Sequence, residues 1–311
     1  MPGDSATRKY VIFGFDMETD IGNYLPTYNG LVHGTPKLLD LLARHRVRGT
    51  FLFTGNAALA NEGAVTAVCE AGHEVGCHSL KHETLGDAGF NMPNDTPILE
   101  WEVEQRLVMN AQIVERITGR EPVSFRAPRL WQGQGQVLAL EKLGFLVDAS
   151  YSAARYGKQI VPYHPSRENW LEAGDMRILE IPNFAFLDKD YDYSRFFCKN
   201  DQWPLLRLLG AEFVFDRVQF VIREQKKVSS VCVLLFYLHP WEFEEMPDRY
   251  EYDEGYFVFK PELYQNCGEH ALGELDRFIQ LCLGNGFSIV TMQDFYAIWQ
   301  EAIPHGSSAC G

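Results

Sequence analysis

The chain has 311 residues, 28 Lys+Arg against 42 Asp+Glu, 46% hydrophobic residues and 15 prolines, a composition that excludes disorder and collagen-like structure and supports a sizeable core. A formal net charge of −14 argues against nucleic acid, which needs a basic stripe, and against an anionic membrane surface. Seven cysteines, odd in number and without a C-x-x-C pair, suit small buried hydrophobes in a reducing compartment better than a zinc ribbon or a disulfide framework.

Residues 1–9, MPGDSATRK, read as a flexible N-terminus. The apolar stretch after them is broken by Asp16, far short of a secretory or membrane-spanning segment, so a cytoplasmic protein is expected. YVIFGFDMETD reads as a buried strand ending in acids. Thr35-Pro36 then supplies an N-cap and an N1 proline for a helix with apolar Leu38, Leu39, Leu41 and Leu42, running to Arg46. GTFLFTG is a second strand, Ala57–Ala71 a helix stopped by Gly72, and His73–Cys77 a short strand leading into HSLKH. The rhythm continues with a helix near Pro97–Thr118, a strand at Ser124–Arg126, a helix at Gln134–Leu143 and a strand at Phe145–Ala149. Residues 151–203 read as loops over the active face, apart from a strand at Arg177–Ile181. A helix at Leu205–Arg223, the strand Val231–Leu238, a helix at Leu272–Leu283 and a strand at Phe287–Thr291 follow. Alternating strands and helices imply parallel pairing, and with no linker or repeat the expectation is one domain over residues 10–303 and a tail at 304–311.

Chemistry-bearing residues collect at the ends of these strands. His78 and His82, spaced i and i+4, would face one way on a helical turn, and two neutral imidazoles suit a divalent metal. Asp16 and Glu18, i and i+2 in an extended segment, point to one side, so that one carboxylate can bind metal while the other takes a proton from water. Arg126, at another strand end, is placed to pair with a first-strand carboxylate. Asp148 ends a further strand, and His239 follows VCVLLFYL and precedes Pro240, a good place for a general acid. Singly, each of these residues also fits a structural role; five such strand ends in one chain do not fit coincidence.

Taken in order, FDMETD, HSLKH, RAPRLW, DASY and LHPWEF resemble the five motifs of the polysaccharide deacetylase family, carbohydrate esterase family 4 or NodB homology domain, over Tyr10 to Phe295. The resemblance implies a distorted (β/α) barrel, an α/β fold of about seven parallel strands with outer helices. It also implies metal-dependent removal of an acyl group, most often from an amino sugar. By position, His78 and His82 match the metal-binding histidines, His239 the catalytic acid, Arg126 the arginine that orients the base, and Asp148 the acid that tunes the catalytic histidine. Where most members have adjacent aspartates this chain has Asp16-Met17-Glu18, similar to the branch with spaced acids. Asp16 is assigned as base and Glu18 as metal ligand, with the reverse left open. Arg129 replaces a common aromatic residue, and its backbone N–H matches the one that polarises the acyl oxygen; Arg129, Trp131 and Trp241 are expected to contact substrate.

The resulting expectation is one divalent ion, zinc first with Co2+, Ni2+, Mn2+ or Fe2+ as alternatives, and a small-molecule or short-glycan N-acyl substrate. Nucleic acid and membrane partners are not expected, and a homo-oligomer is left open. The acidic, aromatic stretch Glu242–Glu254 reads as a partly solvated rim that suits a sugar ring or a cationic amine. Two other readings share the fold: hydrolysis of a cyclic amide or imide, and a catalytically silent glycan-binding barrel, which would need neither acid nor base.

Overall fold

A computed structural model describes residues 7–84, 98–157, 159–196 and 201–302. Strands β1 (Arg8–Met17), β2 (Thr50–Phe53), β3 (Glu74–Cys77), β4 (Ser124–Phe125), β5 (Val147–Asp148), β6 (Leu179–Glu180) and β7 (Val231–Leu238) are parallel throughout. β1 is the central member. One edge pairs with β7 from Arg8 to Phe15, and the other pairs first with a short last strand at Ser288–Ile289 and then, from Gly14 to Met17, with β2. Single bridges close the ring between β6 and β7: Asn183 pairs with Ser152 and Leu235, and the Phe184 N–H donates to the Leu235 carbonyl at 2.7 Å. The architecture is the expected distorted (β/α) barrel.

Burial on both faces explains why β1 has no polar alternation. Its odd residues Val11, Phe13, Phe15 and Met17 pack outward against helices α1 (Thr35–His45), α2 (Gly55–Ala60) and α3 (Glu62–Glu70). Its even residues Tyr10 and Ile12 face inward with Leu52, Val147, Leu179, Val233 and Leu235. Further outer helices are α4 (Glu102–Thr118), α5 (Gln134–Lys142), α6 (Leu205–Leu209), α7 (Ala211–Gln225), α8 (Pro261–Tyr264), α9 (Glu269–Gly284) and α10 (Met292–Ala302). Met292, Phe295 and Trp299 of α10 join the inner cluster, each such burial contributing about 1.5–3 kcal/mol.

Several boundaries differ from expectation for local reasons. β1 begins at Arg8, so the polar start is shorter than residues 1–9. The expected Ala57–Ala71 helix breaks at Asn61, whose φ of −139° leaves the helical region, and Leu205–Arg223 divides at Gly210, φ +90°. Gly34, not Thr35, stands at the cap of α1, after a single π-helical segment Gly30–Gly34. α10 was not read from the sequence. The acidic stretch is no simple loop, for it holds an antiparallel hairpin, β8 (Arg249–Tyr252) with β9 (Gly255–Val258). Pro97, Cys198, Cys310 and the tail at 304–311 lie outside the described residues; the other cysteines within them are free thiols. Among the described residues no helix is long and apolar enough to cross a membrane.

Candidate active site

The pleat that turns Tyr10 and Ile12 inward also turns Gly14 and Asp16 inward, Asp16 at the C-terminal mouth. Arg126, directly after β4 and fully buried, reaches across to them. Its Nη1 donates to Asp16 Oδ1 at 2.6 Å and to the Gly14 carbonyl at 3.3 Å, its Nη2 to the Phe236 carbonyl at 3.4 Å and its Nε to the Ala149 carbonyl at 3.2 Å. One guanidinium thus ties β1, β7 and the end of β5 together and fixes the Asp16 carboxylate. Glycine at 14 makes room for it, since a Cβ there would stand 2.5 Å from Nη2.

After β3 the chain does not form the helical turn expected for His78-x-x-x-His82. It is a loop in which Ser79 (φ +66°) and His82 (φ +59°) are left-handed. The Ser79 and Leu80 carbonyls accept from the Gly55 and Asn56 N–H groups at the start of α2, and Glu83 accepts from Ser79 Oγ at 3.1 Å and the Leu80 N–H at 3.3 Å. The two imidazoles meet all the same, centroids 5.2 Å apart. His78 Nδ1 donates to the Arg126 carbonyl at 2.7 Å; a carbonyl only accepts, so Nδ1 carries a proton, and in the neutral ring the lone pair is on Nε2.

That lone pair faces Glu18. Glu18 Oε2 is 3.2 Å from His78 Nε2 and 2.6 Å from His82 Nε2. All three side chains are buried, and Glu18 Oε2 and His78 Nε2 have no aligned hydrogen-bond partner among the described residues. Burial opposes ionisation of Glu18, yet the flanking His82 and His78 hold its carboxyl well below the usual carboxylate range. Ligand atoms of Glu18, His78 and His82 lie within 4.8 Å of one another, and buried lone pairs without donors in a two-imidazole, one-carboxylate set fit a divalent transition ion. Asp16 Oδ2 stands 3.9 Å from His78 Nε2, beside this cluster.

His239, just past β7, faces the same centre with Nε2 3.9 Å from Glu18 Oε1. Its Nδ1 does not pair with Asp148, the acid assigned to tune it. Glu242 Oε1 takes that place at 3.0 Å, and burial, which lowers the imidazole pKa, is overcome by the Glu242 and Glu18 carboxylates, which raise it. Asp148 is fully buried among other partners: Ser150 Oγ donates to it, and Glu180, bonded by the Ser150 and Tyr151 N–H groups at 3.1 and 2.8 Å, lies beside it. Burial pushes the Asp148 carboxyl up to about 7. Glu242 was not singled out from the sequence; the i, i+3 spacing in His-Pro-Trp-Glu, a capping-box spacing, is the signal that marks it.

A cavity of about 590 Å³ opens over this centre, lined by Asp16, Glu18, His78, His82 and His239. Arg129, Trp131 and Trp241, the expected substrate contacts, line it too. Arg129 is left-handed at φ +57°, within the turn Pro128–Leu130; Arg155 lies over the Trp131 ring at 4.3 Å; Trp241 stacks on His239 at 5.1 Å and 26°. Asp201, Trp203 and Tyr237 complete a wall that no local motif marked.

A parallel (β/α) barrel with a histidine–histidine–carboxylate centre at its C-terminal mouth, an arginine-fixed aspartate and a separately held histidine is the class that fold and site define. The polysaccharide deacetylase profile matches residues 4–147, which hold the first three motifs. Over 128 residues the chain is 30% identical to the Bacillus subtilis peptidoglycan-N-acetylmuramic acid deacetylase PdaA, covering 40% of this chain and 45% of that protein. Over 94 residues it is 34% identical to a Listeria monocytogenes peptidoglycan-N-acetylglucosamine deacetylase, PgdA, covering 30% of this chain and 18% of that one. The matches thus span less than half of these relatives. The likeness in fold runs over nearly the whole chain: a protein assigned to the polysaccharide deacetylases from Mycobacterium smegmatis superposes with a TM-score of 0.62 at 18% identity over 98% of this chain and 95% of its own. PuuE allantoinase superposes at 0.61 and 14% identity over 97% and 94%.

Proposed function

We propose that the chain is a metal-dependent amidohydrolase that removes an N-acyl group, acetyl first, from an amino sugar or short glycan. The observation that carries this reading is the meeting, over one cavity, of the Glu18–His78–His82 cluster, the Asp16–Arg126 pair and His239. The relatives' deacetylase names support it. Glu18, His78 and His82 would hold the ion, zinc by preference with Co2+, Ni2+, Mn2+ or Fe2+ as alternatives; when bound it would polarise the acyl carbonyl and acidify water.

The chain's own groups do the rest. Asp16, held in place by Arg126, accepts the proton of the attacking water. The Arg129 backbone amide, on the turn that lines the cavity, offers a donor to the carbonyl oxygen as negative charge develops. His239, as the imidazolium with its Nδ1–H held by Glu242 and its Nε2–H toward the cavity, gives the Nε2 proton to the departing amine and is left as the neutral Nδ1–H ring. Indole faces from Trp131 and Trp241 suit the apolar face of a sugar ring, and Asp201, hydrogen-bonded by Tyr237, lines the same cavity.

The test is amine and acetate release from N-acetylglucosamine oligomers and peptidoglycan fragments, before and after exhaustive chelation and with zinc restored. Activity that disappears with the metal and returns with it is expected. Undiminished activity in the chelated protein, or acyl-sugar inertness beside cyclic-imide hydrolysis, would overturn the reading.

A further inference from the structure

His239 is held by more than its place after β7. Glu242 Oε1 accepts two hydrogen bonds from the same residue, the backbone N–H and the ring Nδ1–H, each at 3.0 Å. A carboxylate only accepts, so Nδ1 carries a proton in either charge state, and Nε2, the nitrogen turned to the cavity, is the one that gains and gives up the second. The other oxygen, Oε2, accepts from Arg207 Nε at 2.9 Å. Arg207 Nη1 and Nη2 donate to the Gln265 and Glu262 carbonyls at and just past α8, and its guanidinium lies 5.9 Å from the Trp241 ring. Trp241 stacks on the imidazole, and Trp203 meets it edge-on at 5.3 Å.

Both members of this ion pair have side chains only 3% exposed. Desolvating two charges is costly, and an apolar pair of equal volume is often at least as stable, so stability alone does not account for them. Neither residue lines the cavity over the metal cluster. What they do locally is deny His239 any ring flip or tautomer other than the one with Nε2 inward.

We propose that Glu242, braced by Arg207, is the positioning residue of His239, fixing its tautomer and ring orientation for proton delivery. This rests on His239 as the general acid. Glutamine at 242 keeps the shape but offers one oxygen to three donors, the His239 backbone N–H, its Nδ1–H and Arg207 Nε–H, and sets an amide N–H₂ against one side of that set.

The experiment compares wild type, Glu242→Gln, Arg207→Lys, His239→Ala and the double variant Glu242→Gln/His239→Ala, all zinc-loaded, on an N-acetyl amino sugar and on p-nitrophenyl acetate, with ¹⁵N NMR of the His239 ring. Expected for Glu242→Gln is a kcat loss of about 10–100-fold on the amide, the usual cost of removing an orienting partner, with KM and bound zinc unchanged. The activated ester, whose leaving group needs no proton, should be hydrolysed nearly as before. Arg207→Lys should show a smaller loss of the same kind, and it serves if Glu242→Gln does not fold. In the His239→Ala background Glu242→Gln should cost nothing more, and in the Glu242→Gln single variant the neutral His239 ring should move from the Nδ1–H tautomer to a mixture. Equal losses on amide and ester, or additive losses in the double variant, overturn the proposal. If His239→Ala leaves amide hydrolysis intact, the acid assignment fails; the ring tautomer then decides the positioning claim, which falls if Glu242→Gln leaves it unmoved.

Discussion

Asp16 and Glu18 stand two residues apart and are both buried, yet their neighbours give them different chemistry. The Asp16 carboxylate is occupied on one oxygen by Arg126 Nη1, a charge-assisted bond that fixes its orientation, whereas Glu18 Oε2 sits between two imidazole Nε2 atoms. Asp16→Asn should therefore keep its zinc and lose turnover by about 10²–10⁴-fold, the range for a positioned base, while Glu18→Ala should lose zinc affinity itself, as should His78→Ala and His82→Ala. Metal analysis after dialysis, read beside kcat, checks this. A metal-free Asp16→Asn with a metal-replete Glu18→Ala would mean that the two roles are exchanged.

At the scale of elements, the catalytic face depends on a contact that sequence patterning does not show. The segment Gly30–Gly34 packs against the turn Pro240–Phe243, which carries His239 and Glu242; a Cβ on Gly30 would collide with the Trp241 backbone. Gly30→Ala should push that turn aside, destabilise the protein by about 1–3 kcal/mol as overpacked sites do, and reduce amide turnover with metal content unchanged. Gly63→Ala, where a Cβ meets nothing within 4 Å, is the control and should be neutral or slightly stabilising by about 0.5–1 kcal/mol. Urea unfolding and zinc content of both variants decide the matter; equal stability of the two would show that the Gly30 contact yields freely. The same distinction explains what was legible. Strand ends and the parallel rhythm could be read because apolar runs and turn residues are local signals, and Asp16, Glu18, His78, His82, Arg126 and His239 all sit at such ends. The His78–His82 loop was misread as helical, because i, i+4 spacing also serves a loop with two left-handed residues. Asp148 was assigned to His239 by position in a motif, but partnership is decided across the barrel, where Glu242 is nearer in both chain and space. Arg207 and Asp201 carried no local signal at all.

Across the whole molecule, the net charge of −14 conceals carboxyls that are not carboxylates in the folded state near neutrality. Burial is the largest influence on Asp148 and Glu180; it pushes Asp148 to about 7 and, together with the nearby Asp148 charge, Glu180 well above the usual range. Burial also raises Asp201 to about 7. In an unfolded chain such groups titrate near ~4, so between pH ~4 and ~7 the native state holds protons that the unfolded state has lost. Stability from these groups is therefore complete below about 4 and is lost as pH rises through 7. Glu18 and Glu242, whose carboxyls are depressed, act in the opposite sense, their stabilisation present above the unfolded value and lost in acid, so the wild-type profile is a sum of the two. Replacing one raised acid isolates its share. Asp148→Asn keeps the size and the Ser150 contact but cannot ionise, so its stability relative to wild type should rise from pH 5 to pH 8 by an amount of order 2–4 kcal/mol. Urea denaturation of the two zinc-loaded proteins at a series of pH values measures this directly. A stability difference that stays constant from pH 5 to pH 8 would mean that Asp148 is already ionised in the fold, with its charge held by Ser150 and the backbone amides around it.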